Sequence, residues 1–272
     1  DFGIEPEEFD EMGLMEFLKE DKYGEDKLTE GIFAPWAIYK DDFTSIGGHD
    51  PLYAPQSKED SDIFNRFQLA GYETIQTWQG YVYHMTCRGS RFKDGAMRNP
   101  AGQVFMKGRE SSEWLAQNLR STRNFIRKWG HMVKHDEYLK PIVPPKYDIG
   151  FVAYKCNLGM LKEIEPWCNK IYLDTGSDYM HDYVKEEQPN TKYDLDEKIK
   201  MYGYLKPEDL NHDVVVAFNC NDLNADNFQI IVNLSEILQQ SGEVGVMEYD
   251  IFKFYIKSLE TYEKNLVVCK TN

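Results

Sequence analysis

Residues 147–272 alternate between short apolar segments and helix-like stretches, and few folds accommodate that order. Strands that alternate with helices along a chain are typical of α/β layers with parallel strands. A helix is predicted over residues 227–240, where apolar residues recur at helical spacing. The predicted strands are residues 148–156, 170–174, 213–218 and 265–269. The sequence therefore predicts a small parallel α/β domain in this part of the chain.

A proline-rich segment, residues 141–146, precedes that domain. Pro141, Pro144 and Pro145 favour a stiff, extended connector. We therefore predict a linker here. It would separate a domain over residues 1–140, which ends in a basic helical extension, from the α/β domain over residues 147–272.

Residues 1–140 mix helical and extended patterns. Helical spacing predicts helices over residues 5–20, 59–70 and 110–136. Strands are predicted at residues 31–39, where Pro35 confines the strand to an edge or a bend, and at residues 74–84. The buried stripe predicted for the third helix is Trp114, Leu115, Leu119, Phe125, Ile126 and Trp129.

The composition indicates a soluble globular protein. The chain has 272 residues, of which 42% are hydrophobic, enough for one large or two ordinary packed domains. No apolar run approaches the roughly 20 residues of a membrane helix, and no secretory signal pattern opens the sequence. The five cysteines are odd in number and include no CxxC pair, so neither a disulfide framework nor a zinc knuckle is predicted. A reducing, cytoplasmic location is expected.

Charge is unevenly distributed. The formal net charge of −15 argues against general nucleic-acid binding. Within residues 88–146, however, Lys and Arg outnumber Asp and Glu by more than two to one. This basic segment predicts a local anionic ligand in an otherwise acidic protein.

Residue types that carry chemistry concentrate between residues 45 and 92. Gly47 and Gly48 form a tight turn, because adjacent glycines permit positive φ and let a ligand approach the backbone. Glu59 and Asp60 fall on the first turn of a predicted helix, where the helix dipole favours anions. His84 ends a predicted strand, a position where α/β folds often place site residues.

This order of residues resembles the second half of a GT-A nucleotide-sugar glycosyltransferase, closest to family 2. The family pattern is GG-x-D/E, then E-D-x-D-L-x-x-R at a helix start, then G-[YF], and then V-x-H at a strand end. The matching residues are Gly47-Gly48-His49-Asp50, Glu59 to Arg66 with Ile63 in place of leucine, Gly71-Tyr72, and Val82-Tyr83-His84. The resemblance is strong over residues 28–92, loose over 93–146 and absent beyond. The wider sequence resembles glycosyltransferase-like proteins of marine viruses, for which the expected cytoplasmic location would be that of the host.

The resemblance implies an inverting, metal-dependent transfer of a sugar from a nucleotide-sugar donor to a hydroxyl acceptor. Asp60, paired with Glu59, would be the base that takes the proton of the attacking hydroxyl. His84 would complete a site for Mn²⁺ or Mg²⁺, while Arg88 and Arg91 would neutralise the leaving nucleoside diphosphate. The residues expected to contact the substrates are Trp36, Gly47, Gly48, Asp50, Asp62 and Arg66.

Each of these residues also has a structural interpretation. Asp60 and Asp62 are residue types that cap and charge helix starts, and Arg66 is a suitable partner for both. Trp36 and His84 are types that cores accept as well. His131 and His135 have the i, i+4 spacing of a metal pair, but no acidic or cysteine partner is placed to complete a ligand set, so a structural role is predicted.

The sequence departs from the family pattern at its start. A nucleotide-binding half with a D-x-D strand end should precede Gly31, and it is missing, so we expect a fragment that is inactive or nearly so by itself.

Asp174 follows a predicted strand at the distance of a ribose-binding acid, but no G-x-G-x-x-G precedes it. For nucleotide binding by the second domain, the predicted α/β fold class is therefore the only support.

Two other functions fit the sequence. A degenerate glycosyltransferase would bind glycans without catalysis, through Trp36, Trp78 and the Gly47-Gly48 turn. An adaptor for polyanions or nucleic acid would use the basic residues of segment 88–146.

Overall fold

The computed structural model describes residues 2–3, 6–20, 28–83, 96–98, 100, 104–106, 112–174, 177–203 and 206–269. The chain forms two compact units, each assembled from separate stretches of sequence. Unit 1 comprises Asp1–Ala37, Glu73–Leu119 and Glu137–Lys140, and unit 2 comprises Ile38–Tyr72, Arg120–Asp136 and Pro141–Asn272. The glycine turn and the acidic helix therefore belong to the same unit as the α/β segment.

Short helices and strands alternate over most of the described residues. The α-helices are α1 (Glu11–Lys19), α2 (Lys40–Ser45), α3 (Glu59–Leu69), α4 (Ser112–Trp129), α5 (Leu158–Ile164), α6 (Ser177–Glu187), α7 (Leu195–Lys198), α8 (Ala225–Val232) and α9 (Leu234–Ser241). The strands are β1 (Leu28–Glu30), β2 (Ile75–Thr77), β3 (Ala96–Arg98), β4 (Val104–Met106), β5 (Ile149–Tyr154), β6 (Lys170–Leu173), β7 (Ile199–Met201), β8 (Val214–Asn219), β9 (Gly245–Tyr249) and β10 (Phe252–Ile256).

Unit 2 is built on a six-stranded sheet with the order β7-β6-β5-β8-β10-β9. Strand β5 lies inside the sheet and pairs in parallel with both β6 and β8, and β6 pairs in parallel with β7. Strand β10 pairs antiparallel with β8 and with β9. The sequences of β5 and β8, IGFVAY and VVVAFN, are almost wholly apolar, as expected for interior strands of a parallel layer.

The two faces of this sheet are packed differently. One face carries α5, α6, α8 and α9, whose apolar residues join the strand residues Phe151, Val216 and Phe254 in the main core. The opposite face holds a smaller cluster around Val152 and Val215. Partly buried tyrosines pack against that smaller cluster: Tyr154, Tyr172, Tyr202 and Tyr255. Because side chains alternate along a strand, successive apolar residues of β5 and β8 contribute to the main core and to the smaller cluster in turn.

The predicted α/β class is confirmed, and the strands predicted at residues 148–156, 170–174 and 213–218 are β5, β6 and β8. The prediction of a purely parallel layer is wrong, because β9 and β10 add an antiparallel hairpin. Its two-residue turn places Asp250 at a φ of 54°, and the burial of β10 alternates as in a strand with one covered face. The last strand predicted at residues 265–269 is also wrong, because Glu263–Leu266 forms a 3₁₀ helix.

The helix predicted over residues 59–70 is confirmed as α3. The helix predicted over residues 110–136 forms as α4, but it ends at Trp129 and does not continue to residue 136. The buried stripe of α4 holds only for Phe125, Ile126 and Trp129, since Leu115 and Leu119 are 45% and 60% exposed. The helix predicted over residues 227–240 is divided at Asn233 into α8 and α9. No strand forms within residues 31–39, where the backbone is irregular.

The segment predicted as a linker, residues 141–146, lies inside unit 2. Pro141 forms a β-bridge with His135, and Lys146 is buried with its Nζ donating to the carbonyl oxygen of Arg127 at 3.2 Å. One boundary between the units falls at Lys140–Pro141, at the start of this segment, and the other boundaries lie elsewhere in the chain.

Unit 1 contains two small antiparallel pairs, β1 with β2 and β3 with β4, together with α1. Helix α1 has Asp10 as its N-cap, whose side chain accepts a hydrogen bond from the Gly13 amide at 2.9 Å. Among the described residues of the whole chain, no helix is both long and apolar enough to cross a bilayer.

Candidate carboxylate site at the start of helix α3

The first turn of α3 carries the two acids that the sequence singles out, Glu59 and Asp60. Ser57 and Lys58 precede the helix with φ values of 82° and 73°, so the chain reverses sharply just before the helix begins. Non-glycine residues adopt this backbone region only at an energetic cost, and it is enriched at functional sites. The turn leaves both carboxylates partly exposed.

The surroundings of Glu59 change the pKa of its carboxyl group. Burial, and to a smaller extent the charge of Asp60, raise the pKa of Glu59 above its usual value. Its Oε2 atom is enclosed and has no hydrogen-bond partner among the described residues. A carboxyl group with a raised pKa beside a partly exposed carboxylate is an arrangement that can exchange protons with a ligand.

A buried ion cluster around Asp62 holds α3 in place. Asp62 is fully buried and accepts hydrogen bonds from Arg66 Nε at 2.9 Å and from the indole nitrogen of Trp129 at 2.9 Å. The ammonium group of Lys128 lies 2.7 Å from the Asp62 carboxylate. Asp62 therefore has its partners inside the protein.

Arg66 links this cluster to the glycine turn. Its guanidinium donates to the carbonyl oxygens of Ile46 at 2.8 Å and of Gly48 at 2.5 Å. Gly47 and Gly48 have φ values of 81° and 63°, which confirms the tight turn predicted from the glycine pair. Since Arg66 is fully buried and bonded on both sides, it fixes the turn relative to α3.

Asp50 completes the cluster. Burial alone would raise the pKa of Asp50, but the charge and the hydrogen bond of Lys128 outweigh it and hold this pKa far below its usual value. Lys192 adds a second ammonium group at 3.1 Å. For Asp50, Asp62 and Arg66, direct contact with a substrate therefore stays a prediction that would require this cluster to open.

Asp50, Asp62 and Cys269 lie close enough together to be compared with a metal site, since one ligand atom from each falls within 4.8 Å of the others. The Nζ atom of Lys128, however, stands 2.9 Å from Asp50, 2.7 Å from Asp62 and 3.7 Å from the Cys269 sulfur. This ammonium group already supplies the positive charge that a divalent ion would bring. The three residues do not fit Mn²⁺ or Mg²⁺, which require free oxygen ligands.

The other predicted site residues lie elsewhere. His84, Arg88 and Arg91 fall outside the described residues, so the predicted metal and diphosphate contacts stay predictions. Trp36 belongs to unit 1 and is partly buried. The structure thus brings Gly47, Gly48, Asp50, Glu59, Asp60, Asp62 and Arg66 together within unit 2.

Several Lys and Arg side chains in the described part of the basic segment, residues 88–146, form ion pairs within the protein. Arg123 pairs with Glu187 at 2.7 Å, and Arg127 pairs with the fully buried Glu165 at 2.6 Å. Lys198 also pairs with Glu165 at 2.6 Å. Lys134 and Lys140 pair with Glu236 and Glu30, respectively. These contacts weaken the case for a surface that binds polyanions.

Lys128, Trp129 and Cys269 are members of the cluster that the sequence did not predict. No spacing rule connects them with Asp62, because they lie far along the chain. One signal was present: Arg127 and Lys128 interrupt the apolar run from Phe125 to Trp129, and basic residues at such positions are almost never buried without acidic partners.

Unit 1 contains a cavity of about 420 Å³. Its lining combines aromatic and apolar side chains from the N-terminal segment, α1 and residues 76–83, including Phe2, Leu14, Phe17, Trp78, Tyr81 and Tyr83. Tyr83 is held in this wall, because its hydroxyl donates to the carbonyl oxygen of Gly3 at 2.5 Å. A cavity of this size and lining is suited to a small organic ligand or a sugar ring.

Comparisons with known protein families, with curated proteins and with solved structures found no match to this chain.

Proposed function

We propose that this chain is part of an inverting glycosyltransferase that moves a sugar from a nucleotide-sugar donor to a hydroxyl group, with Asp60 as the base. The observation that carries the proposal is the paired Glu59 and Asp60 on a partly exposed first turn, held beside the Gly47-Gly48 turn by the buried Asp62–Arg66 pair. The resemblance of this stretch to family 2 enzymes supports the same role.

The chemistry assigned to Asp60 is proton transfer. As the acceptor oxygen attacks the anomeric carbon, its proton passes to the carboxylate, and the bond from that carbon to the nucleoside diphosphate breaks. Glu59, with its raised pKa, stands next to Asp60 and serves as a second proton-exchanging group. The positive-φ backbone of the glycine turn forms the wall along which the acceptor lies.

The resemblance also implies Mn²⁺ or Mg²⁺. The described acids do not offer a site for either ion, since Lys128 fills the Asp50–Asp62 cluster. His84, the ligand expected from the resemblance, lies outside the described residues. No step of the proposed proton transfer depends on the ion.

The base assignment is tested with Asp60→Asn in the natural full-length protein. We expect sugar transfer to fall by roughly 100-fold or more, the usual range for loss of a general base, while donor affinity stays unchanged. Nucleoside diphosphate release from a panel of nucleotide sugars, with and without Mn²⁺ or Mg²⁺, measures the transfer, and calorimetric titration measures donor binding.

Asp41→Asn is the matched control. Asp41 is an exposed acid on the first turn of α2, so its loss removes the same charge without touching the site. Wild-type turnover by Asp60→Asn would overturn the base assignment, and equal losses in both variants would reduce it to an effect of net charge.

A second candidate is a glycan-binding protein without catalysis, and the aromatic cavity of unit 1 favours it. Trp78 is 39% exposed at this cavity and offers a ring face to a sugar. Glycan binding by the wild-type protein, with no release of nucleoside diphosphate from any donor in the same assay, would favour this candidate over the enzyme.

A further inference from the structure

Two cysteines meet at the carboxyl edge of the sheet in unit 2. Strands β5 and β8 are parallel neighbours, and Tyr154 at the end of β5 lies opposite Asn219 at the end of β8. Cys156 follows two residues after Tyr154, and Cys220 follows directly after Asn219. Neighbouring strands lie about 4.8 Å apart. A disulfide joins residues whose Cα atoms are about 4.4–6.8 Å apart, a range that includes the spacing of neighbouring strands.

The backbone between Tyr154 and Cys156 turns the first cysteine toward the second. Strand alternation puts Phe218 and Cys220 on the helix-covered face and Tyr154 on the opposite face. A regular continuation of β5 would also put Cys156 on the opposite face. Lys155, however, has a φ of 51° and breaks the alternation, and Cys156 joins Cys220 in the main core.

The surroundings of Cys156 favour its reactive form. Hydrogen bonding from the Cys220 thiol, opposed by burial and assisted by the Tyr179 hydroxyl, lowers the pKa of Cys156. The same contact with Cys156 raises the pKa of Cys220, so that this thiol keeps its proton. A thiol with a lowered pKa beside a thiol with a raised pKa is the pairing found in nucleophilic and resolving cysteines.

Cys168 provides an internal contrast. It is also buried in unit 2, but burial raises the pKa of its thiol to about 12. Its sulfur donates to the carbonyl oxygen of Glu165 at 3.5 Å. Cys168 therefore has the features of an inert structural cysteine.

We propose that Cys156 and Cys220 are a peroxide-sensitive dithiol that closes to a disulfide across the ends of β5 and β8. The Cys156 thiolate attacks hydrogen peroxide, which forms a sulfenic acid and releases hydroxide. The Cys220 thiol then attacks the sulfenic sulfur, which forms the disulfide and releases water. Peroxide is the two-electron oxidant, and a thiol reductant reverses the reaction.

This site is independent of the proposed sugar transfer. The disulfide would tie the loop that leads into α5 to the 3₁₀ turn Cys220–Asp222 that leads toward α8. Ligands of open α/β sheets bind at this carboxyl edge, so oxidation would stiffen the part of unit 2 where a ligand would enter.

The test starts from the reduced full chain, treated with hydrogen peroxide, blocked with iodoacetamide under denaturing conditions, digested and analysed by mass spectrometry. We expect Cys156 and Cys220 to disappear together from the alkylated peptides and to reappear as one linked pair, two hydrogens lighter. Cys168 should remain alkylated, and dithiothreitol should restore both thiols. Alkylation of Cys156 and Cys220 equal to that of Cys168 after peroxide would overturn the proposal.

Single variants separate the two roles. In Cys220→Ser the sulfenic acid of Cys156 should persist and react with dimedone, whereas in Cys156→Ser the Cys220 thiol should stay reduced. Oxidation of Cys220 at the wild-type rate in Cys156→Ser would contradict the assignment of Cys156 as the attacking thiolate. The wild-type experiment decides the proposal even if a variant fails to fold.

Discussion

His131 is a buried side chain whose protonation would make the stability of unit 2 depend on pH. It is fully buried, its ring packs against Phe125 at 5.9 Å, and burial lowers its pKa to about 4. Its Nε2 atom has no hydrogen-bond partner in the described part of the chain. The i, i+4 spacing of His131 and His135 resembled a metal pair. His131, however, is packed in the core, whereas His135 is exposed.

The lowered pKa of His131 predicts a loss of stability in mild acid. The unfolded chain takes up this proton near pH 6.5 and the folded chain only near pH 4, so stability falls as the pH drops through that window. The full loss of unfolding free energy amounts to about 3 kcal/mol, because the two states bind the proton with affinities that differ by roughly 300-fold. Urea unfolding between pH 5 and 7.5 measures the slope.

His131→Phe should flatten this slope, and His135→Phe, which alters an exposed ring, should leave it unchanged. The range is kept above pH 5 because Glu165, whose ion pairs lower its pKa to about 2 against the opposing effect of burial, loses its own contribution below about pH 4.5. An unchanged slope in His131→Phe would assign the acid sensitivity to another group.

At the scale of elements, the glycine turn and α3 form one rigid piece. The Arg66 guanidinium joins them through the Ile46 carbonyl oxygen, which also accepts a hydrogen bond from the Cys269 amide at 3.0 Å. A Cβ on Gly47 would stand 2.5 Å from the carbonyl oxygen of Cys269. The turn therefore needs glycine both for its φ and for its close contact with the end of the described chain.

Gly47→Ala and Gly71→Ala separate these two needs. Both positions have a φ near 80°, but nothing lies within 4 Å of a Cβ on Gly71. We expect Gly71→Ala to cost about 1 kcal/mol for the left-handed backbone alone. Gly47→Ala should cost about 3 kcal/mol, because the clash with Cys269 is added. Chemical denaturation of both variants gives the comparison, and equal losses would show that the contact relaxes freely.

Local patterns predicted α3, α4, β5, β6 and β8, because each has apolar periodicity or a β-branched run of its own. The hairpin β9–β10 was missed, since Gly245 and the charged residues of its exposed side hide the alternation. The burial of Asp50, Asp62 and Arg66 was not predictable from their spacing. It depends on Lys128 and Trp129, which only the tertiary fold brings to α3.

At the scale of the whole molecule, unit 2 is discontinuous in sequence. Residues 147–272, which contain the sheet, do not include Arg127, the partner of the fully buried Glu165. They also lack the buried residues Phe125, Ile126 and Trp129. The sequence predicted a separate domain over residues 147–272 because only this part has the strand–helix alternation. Packing adds two earlier stretches that have no such pattern.

This discontinuity predicts how fragments behave. A fragment of residues 147–272 should lack a cooperative thermal transition, because it leaves Glu165 without Arg127 and exposes core surface. A fragment of residues 38–272, which keeps every stretch of unit 2, should retain one. Circular dichroism melting measures both, and transitions within a few degrees of each other would show that residues 147–272 fold independently.

The Lys128 ammonium group between Asp50 and Asp62 also has a consequence for recombination between related genes. Two acids from one early stretch of the gene depend on a base encoded much later, and breaking a buried ion pair costs about 3–5 kcal/mol. A recombination breakpoint between these codons would join an acid to a foreign partner and leave a buried charge unpaired. We therefore expect exchange between related genes to keep residues 50–128 as one block.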